Sequence, residues 1–190
     1  LSSQRLEAIA AVADANRWFQ LYLQARREDT DDLLRRAQSA GDSAIVLTLD
    51  ATIQLPSYRA QRTGFRLPAE CVAANLLNYP DRVAAASPRS DRGAIFGGVM
   101  EQAPTWSDVD AVLASTALPV WIKGVMHPDD ALALKMRGVA GVIVSNHGGR
   151  TVDGVPASLA VLRAIRAAVG DDYPLLFDSG IRSGADAFKA

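Results

Sequence analysis

Residues 139–150 read V-A-G-V-I-V-S-N-H-G-G-R. The stretch from Val139 to Val144 is short, apolar and largely β-branched, and it stops abruptly at Ser145. Asn146, His147, two glycines and Arg150 then follow in immediate succession. A short apolar run bounded by glycines is the pattern of a buried parallel strand. In parallel α/β folds the ligand lies outside the carboxyl ends of the strands, so this imidazole and guanidinium are expected to face a site. A histidine can take a proton while a neighbouring arginine holds an anion. A lone histidine after a strand is as readily a hydrogen-bonded structural residue; the adjoining G-G-R favours a functional one.

Outward from this stretch the same strand-then-polar pattern recurs. Ser43–Leu49 reads as a strand closed by Asp50, and Thr48 and Asp50, two apart, share a face. Trp18–Tyr22 is a short aromatic strand with Gln20 and Tyr22 on one face. Pro119–Ile122 is a strand with Lys123 at its mouth and Gly124 turning the chain; Leu175–Phe177 leads into Asp178-Ser179-Gly180-Ile181-Arg182. At that last turn a glycine permits close backbone approach, and a following helix N-terminus suits an anion. Helices are predicted over Leu6–Ala15, from a cap at Asp29 or Thr30 to Gly41, from a Thr105–Asp108 capping box to about Ser115, from His127-Pro128 to Gly138, and from about Pro156 to Val169. His127 stands at a helix entrance and is read as structural. Five strands alternating with helices argue for a parallel α/β fold.

The segment S-N-H-G-G-R-T-V-D-G-V-P-A-S resembles the signature of the FMN-dependent α-hydroxy-acid oxidases and dehydrogenases, a family that includes glycolate, lactate and mandelate oxidases. R-W-F-Q-L-Y at 17–22, V-L-T-L-D at 46–50, P-V-W-I-K-G at 119–124 and L-F-D-S-G-I-R-S-G at 176–184 match in the family's order. The resemblance implies a (β/α)8 TIM barrel, here incomplete: about the third to seventh strands, with Leu1-Ser2-Ser3 as a possible stub of the second. It implies FMN as cofactor, contacted by Ser2, Gln20, Thr48, Lys123, Ser145, Asp178, Gly180 and Arg182. A helix-cap role for Ser2 stays open. The implied reaction is oxidation of a small (S)-2-hydroxy acid to the 2-oxo acid. Arg150 would hold the carboxylate, His147 would take a proton, Asp50 would stabilise the imidazolium and Tyr22 would orient the reacting oxygen. The final electron acceptor is oxygen, a quinone or a cytochrome, and members are often homo-oligomers, commonly tetramers.

The family also places an active-site lid after Asp50, and two single-residue departures qualify the match. Residues 51–104 show no regular element and read as an active-site lid or insertion within the single domain. An arginine that helps hold the substrate carboxylate in the family falls, without gaps, on Ser57; Arg59 lies two residues later and could replace it on a different loop path. Serine at 179, where many members have glycine, is a smaller difference.

The totals agree with one soluble domain. Of 190 residues 49% are hydrophobic and 22% charged, with net charge −1, which argues against a nucleic-acid or anionic-membrane surface. The single cysteine, Cys71, excludes an internal disulfide, and no Cys/His cluster suggests a metal. No apolar run reaches membrane-spanning length and the first residues do not read as a signal peptide, so a cytoplasmic protein is expected. A complete barrel of this kind has about 250 residues, so the chain reads as a domain truncated at both ends. Rival readings are a catalytically silent fragment that at most binds flavin or phosphate, and a related FMN barrel such as a flavin-dependent isopentenyl diphosphate isomerase. The pairing of His147 with Arg150 after one strand counts against the isomerase.

Overall fold

A computed structural model describes residues 2–12, 14–51, 58–79 and 103–190. They form two compact units, Leu1–Ile45 with Pro56–Leu118 and Val46–Leu55 with Pro119–Ala190.

The first unit contains α1 (Leu6–Ala10), β1 (Trp18–Leu21), α2 (Arg27–Ser39) and the start of β2 (Ala44–Thr48), with β1 beside β2. α1 is shorter than its apolar spacing predicts. Leu6 is its one buried residue and Val12 is 84% exposed, so no packing supports a further turn. α2 starts earlier than predicted, at Arg27, which puts Asp29 and Thr30 in its first turn rather than at its cap. Thr30 serves the preceding loop instead, its hydroxyl accepting the Gln24 N–H at 3.0 Å. All five residues of β2 are buried, as expected of a strand covered on both faces.

Residues 51–104 are not wholly irregular. They contain α3 (Tyr58–Arg62) and a 3-10 turn at Ala74–Leu76. That turn is anchored: Asn75 Oδ1 accepts the Leu6 N–H at 2.9 Å, and Arg36 donates to the Asn75 carbonyl at 3.0 Å and to Tyr79 Oη at 3.1 Å. This part of the expected lid therefore belongs to the body of the first unit, while residues 80–102 lie outside the described residues. α4 (Trp106–Ser115) begins with the predicted box, the Thr105 N–H donating to Asp108 Oδ2 at 2.7 Å.

The second unit continues from the end of β2 through β3 (Val120–Val125), α5 (Pro128–Met136), β4 (Gly141–Val144), α6 (Ser158–Val169), β5 (Leu175–Phe177) and α7 (Gly184–Lys189). Its strands neighbour one another in sequence order, and the β3–β4 and β4–β5 pairs are parallel. Ile122, Val142, Val144, Ile165 and Val169 form its interior. Trp121 lies over Gly141, its cross-strand partner, where a Cβ would come within 2.4 Å of the indole ring. Tyr173 closes the bottom of this core, its hydroxyl donating to the Val139 carbonyl at 2.9 Å. Burial pushes that phenol up to about 12.

β3 differs from its prediction in a way that shapes the site. Lys123 and Gly124 lie inside the strand, not at and beyond its mouth. Lys123 pairs with Ile143 and Val125 with the next residue, Val144, so Gly124 is an extra, bulged residue with φ +100°.

Candidate functional site

The ends of β2 to β5 carry the second unit's candidate site residues. Thr48 is buried at the end of β2, and Asp50 lies two residues on. Asp50 Oδ1 is 2.9 Å from His147 Nδ1, with both side chains largely buried at 13% and 12% exposure. The bulge makes room for this pair: a Cβ on Gly124 would come within 2.4 Å of the Asp50 Cβ and carboxyl carbon. The other carboxylate oxygen, Asp50 Oδ2, is buried and has no hydrogen-bond partner among the described residues.

Beside it, the Lys123 ammonium donates to Ser145 Oγ at 2.7 Å and pairs with Asp178 at 3.1 Å. Ser145 is fully buried, and its oxygen also accepts the His147 N–H at 3.1 Å. Burial alone would raise the Asp178 carboxyl, but hydrogen bonds from Ser145, Ser179 and Lys123 outweigh it and hold the group below the usual carboxylate range.

His147, Gly148 and Gly149 all have positive φ, at 56°, 67° and 69°. Asn146 stabilises this left-handed turn by accepting the Gly149 N–H on Oδ1 at 3.2 Å. Arg150 follows it, exposed, and pairs with none of the described residues. Across from the turn, Ser179 (φ 76°) accepts the Gly148 N–H at 3.0 Å and donates to Asp178 Oδ1 at 2.8 Å. A non-glycine residue in this region costs about 1–3 kcal/mol, so both His147 and Ser179 are held in place by their surroundings. Gly180 has φ +90°. Arg182 is exposed, and its N–H donates to Asp186 Oδ2 at 3.2 Å.

The remaining candidates belong to the first unit. Ser2, Gln20 and Tyr22 line one cavity of about 430 Å³, together with Trp18, Leu6 and Asn75. Gln20 Nε2 donates to Tyr22 Oη at 3.4 Å, so the two share a face as predicted. Ser2 is not a helix cap, since α1 is capped at Arg5; its hydroxyl accepts the Gln4 N–H at 3.0 Å. Arg59 is exposed on α3, and Ser57 lies outside the described residues. His127 is structural as read: it caps α5, Nδ1 accepting the Asp129 N–H at 3.3 Å. Among the described residues no group of three or more His, Cys, Asp or Glu could hold a metal, and no helix is long and apolar enough to cross a membrane. Sequence reasoning missed the space Gly124 leaves for Asp50 and the bridge made by Ser179. Neither has a sequence signal beyond a glycine after a strand lysine and a hydroxyl after an aspartate.

The whole chain, residues 1–190, matches the family model described as FMN-dependent dehydrogenase. The chain belongs to that family. It is 60% identical over 190 residues to an L-lactate oxidase of Alicycliphilus denitrificans, covering 100% of this chain and 52% of that protein. It is 42% identical over 193 residues to a 4-hydroxymandelate oxidase of Amycolatopsis orientalis, covering 100% of this chain and 53% of that one. Among solved structures it resembles a mandelate oxidase variant carrying a C4a-OH-FMN adduct, with a TM-score of 0.80 and 39% identity, over 100% of this chain and 50% of that chain. The chain thus spans about half the length of the curated relatives it matches. The family's cofactor is FMN. The second unit offers this FMN-dependent chain a suitable donor set at its strand ends: buried hydroxyls at Thr48 and Ser145, a cation at Lys123 and a carboxylate at Asp178.

Proposed function

We propose that the full-length protein containing this chain oxidises a small (S)-2-hydroxy acid to the 2-oxo acid with FMN, and that residues 1–190 supply the third to seventh strands of a (β/α)8 barrel. The observation that carries the reading is the largely buried pair of His147 and Asp50, with Arg150, exposed and paired with none of the described residues, three positions after the histidine.

Arg150 binds the substrate carboxylate as a two-pronged donor. The His147 Nδ1 faces Asp50, and the imidazole receives the proton leaving the substrate. Asp50 then lies 2.9 Å from the imidazolium and stabilises its charge. Tyr22 orients the reacting oxygen. Thr48, Lys123 and Ser145 would hold the flavin ring, Gln20 and Ser2 would also contact the flavin, and Asp178, Gly180 and Arg182 would hold the ribityl phosphate. When bound, FMN supplies the acceptor for the substrate's two electrons. The positive charge of Lys123 favours the reduced, anionic state of a ring beside it. Dioxygen as final acceptor is supported by relatives named as oxidases, and lactate as first substrate by the 60% identical lactate oxidase.

The test is anaerobic stopped-flow of the full-length, FMN-loaded protein with L-lactate, glycolate and mandelate. His147→Ala is expected to lower the rate of flavin bleaching by about 10²–10⁴-fold while leaving flavin bound. A variant that bleaches at the unsubstituted rate would refute the assignment.

A further inference from the structure

Ser179 takes no part in the chemistry proposed above, yet it makes two hydrogen bonds from a backbone conformation that disfavours any side chain. We propose that Ser179 is a positioning residue whose hydroxyl latches the left-handed turn bearing His147 to Asp178, and so holds the imidazole against Asp50.

Three side-chain oxygens accept from the peptide groups of that turn. Ser145 Oγ takes the His147 N–H and Asn146 Oδ1 takes the Gly149 N–H, both from immediate chain neighbours. The third, Ser179 Oγ to the Gly148 N–H, comes from the loop just beyond the carboxyl end of β5, 31 residues away. A bond to a near neighbour fixes the shape of the turn; a bond from β5 fixes where that shape sits. The hydroxyl is itself anchored, since its proton goes to Asp178, and Asp178 pairs with Lys123 on β3. The turn after β4 is thereby tied to the two strands that flank β4. Glycine would adopt φ 76° without strain and would leave the Gly148 N–H without this acceptor.

The inference rests on His147 being the proton acceptor, so both are tested together in the full-length, FMN-loaded protein. Ser179→Gly removes the hydroxyl and relieves the backbone; Ser179→Ala removes the hydroxyl and keeps the strain. Both are expected to retain flavin and to lose amide-exchange protection in a peptide covering 145–151. Both should reduce flavin with L-lactate on the order of 10- to 100-fold more slowly, at unchanged substrate affinity. Normal exchange or normal reduction in Ser179→Gly overturns the latch, even if Ser179→Ala is slow, because backbone strain would then be the cause. Loss of flavin from Ser179→Gly overturns it too, by assigning Ser179 to cofactor binding. If His147→Ala is inert and Ser179→Gly is normal, the latch alone fails; if His147→Ala is active, the site reading itself fails.

Discussion

Arg150 and His147 sit three residues apart in very different surroundings, and the roles proposed for them follow from that difference. The imidazole is 12% exposed and bonded to a carboxylate, while the guanidinium is exposed and uncommitted to any described residue. A proton acceptor gains from a fixed partner; an anion binder gains from donors still open to its ligand. Arg150→Lys keeps the charge but not the planar fork, so the substrate dissociation constant should rise about tenfold or more, about 1.4 kcal/mol, with flavin binding intact. A titration of the flavin spectrum with L-lactate, read before and after the change, decides it; equal affinities would remove Arg150 from carboxylate binding. At this scale the sequence was informative where residue type carries the chemistry. The His147–Asp50 pair joins two residues 97 positions apart, and only the family resemblance carried by the motifs placed them together. Ser179 was opaque because its contribution depends on the sign of a backbone angle, which no residue type states.

Among the elements, the β-branched runs of β2 and β4 were legible because strands covered on both faces are written as continuous apolar stretches. α1 was overestimated because helical spacing names a potential apolar face without saying whether anything packs on it. The end of β3 was misplaced for a related reason: Lys123-Gly124 reads as the close of a strand, whereas pairing with β4 carries the strand on to Val125. Gly124 gives this element its sharpest test. Gly124→Ala places a methyl within 2.4 Å of the Asp50 side chain and forces an L-residue to φ +100°. A destabilisation of at least about 2 kcal/mol is expected, together with loss of substrate-driven flavin reduction. Urea midpoints of the full-length protein check the first part, and a midpoint unchanged from the parent would show that the bulge yields freely.

For the molecule as a whole, the alternation of strands and helices correctly framed a parallel α/β protein, while the organisation of 51–104 stayed out of reach because its anchors are scattered polar contacts such as Asn75 and Arg36 rather than a periodic face. Stability against pH belongs at this scale. The Tyr173 phenol moves from its ordinary 10 up to about 12 through burial. A raised value means the folded state favours the protonated form. Its contribution is therefore complete below about pH 10 and disappears as pH rises through about 12. Tyr173→Phe should flatten that alkaline limb and, by losing the bond to the Val139 carbonyl, lower stability at neutral pH by about 1 kcal/mol. Denaturant melts from pH 8 to 12 measure both, and an alkaline limb of undiminished slope in the variant would assign it to other groups.

The bulge also changes how β3 would respond to insertions and deletions. In a regular strand the loss of one residue turns every later side chain to the opposite face. Here the extra residue has already been counted in: Val120, Ile122 and Val125 are the buried members, with Lys123 and Gly124 both between the last two. Excising Gly124 would restore plain alternation, leave Val125 facing inward, and let Lys123 and Val125 pair as consecutive residues with Ile143 and Val144. The interior could absorb that deletion more easily than a bulky replacement at the same position. The pocket that Asp50 occupies beside Gly124 could not, so this single codon separates what the sheet requires from what the chemistry requires.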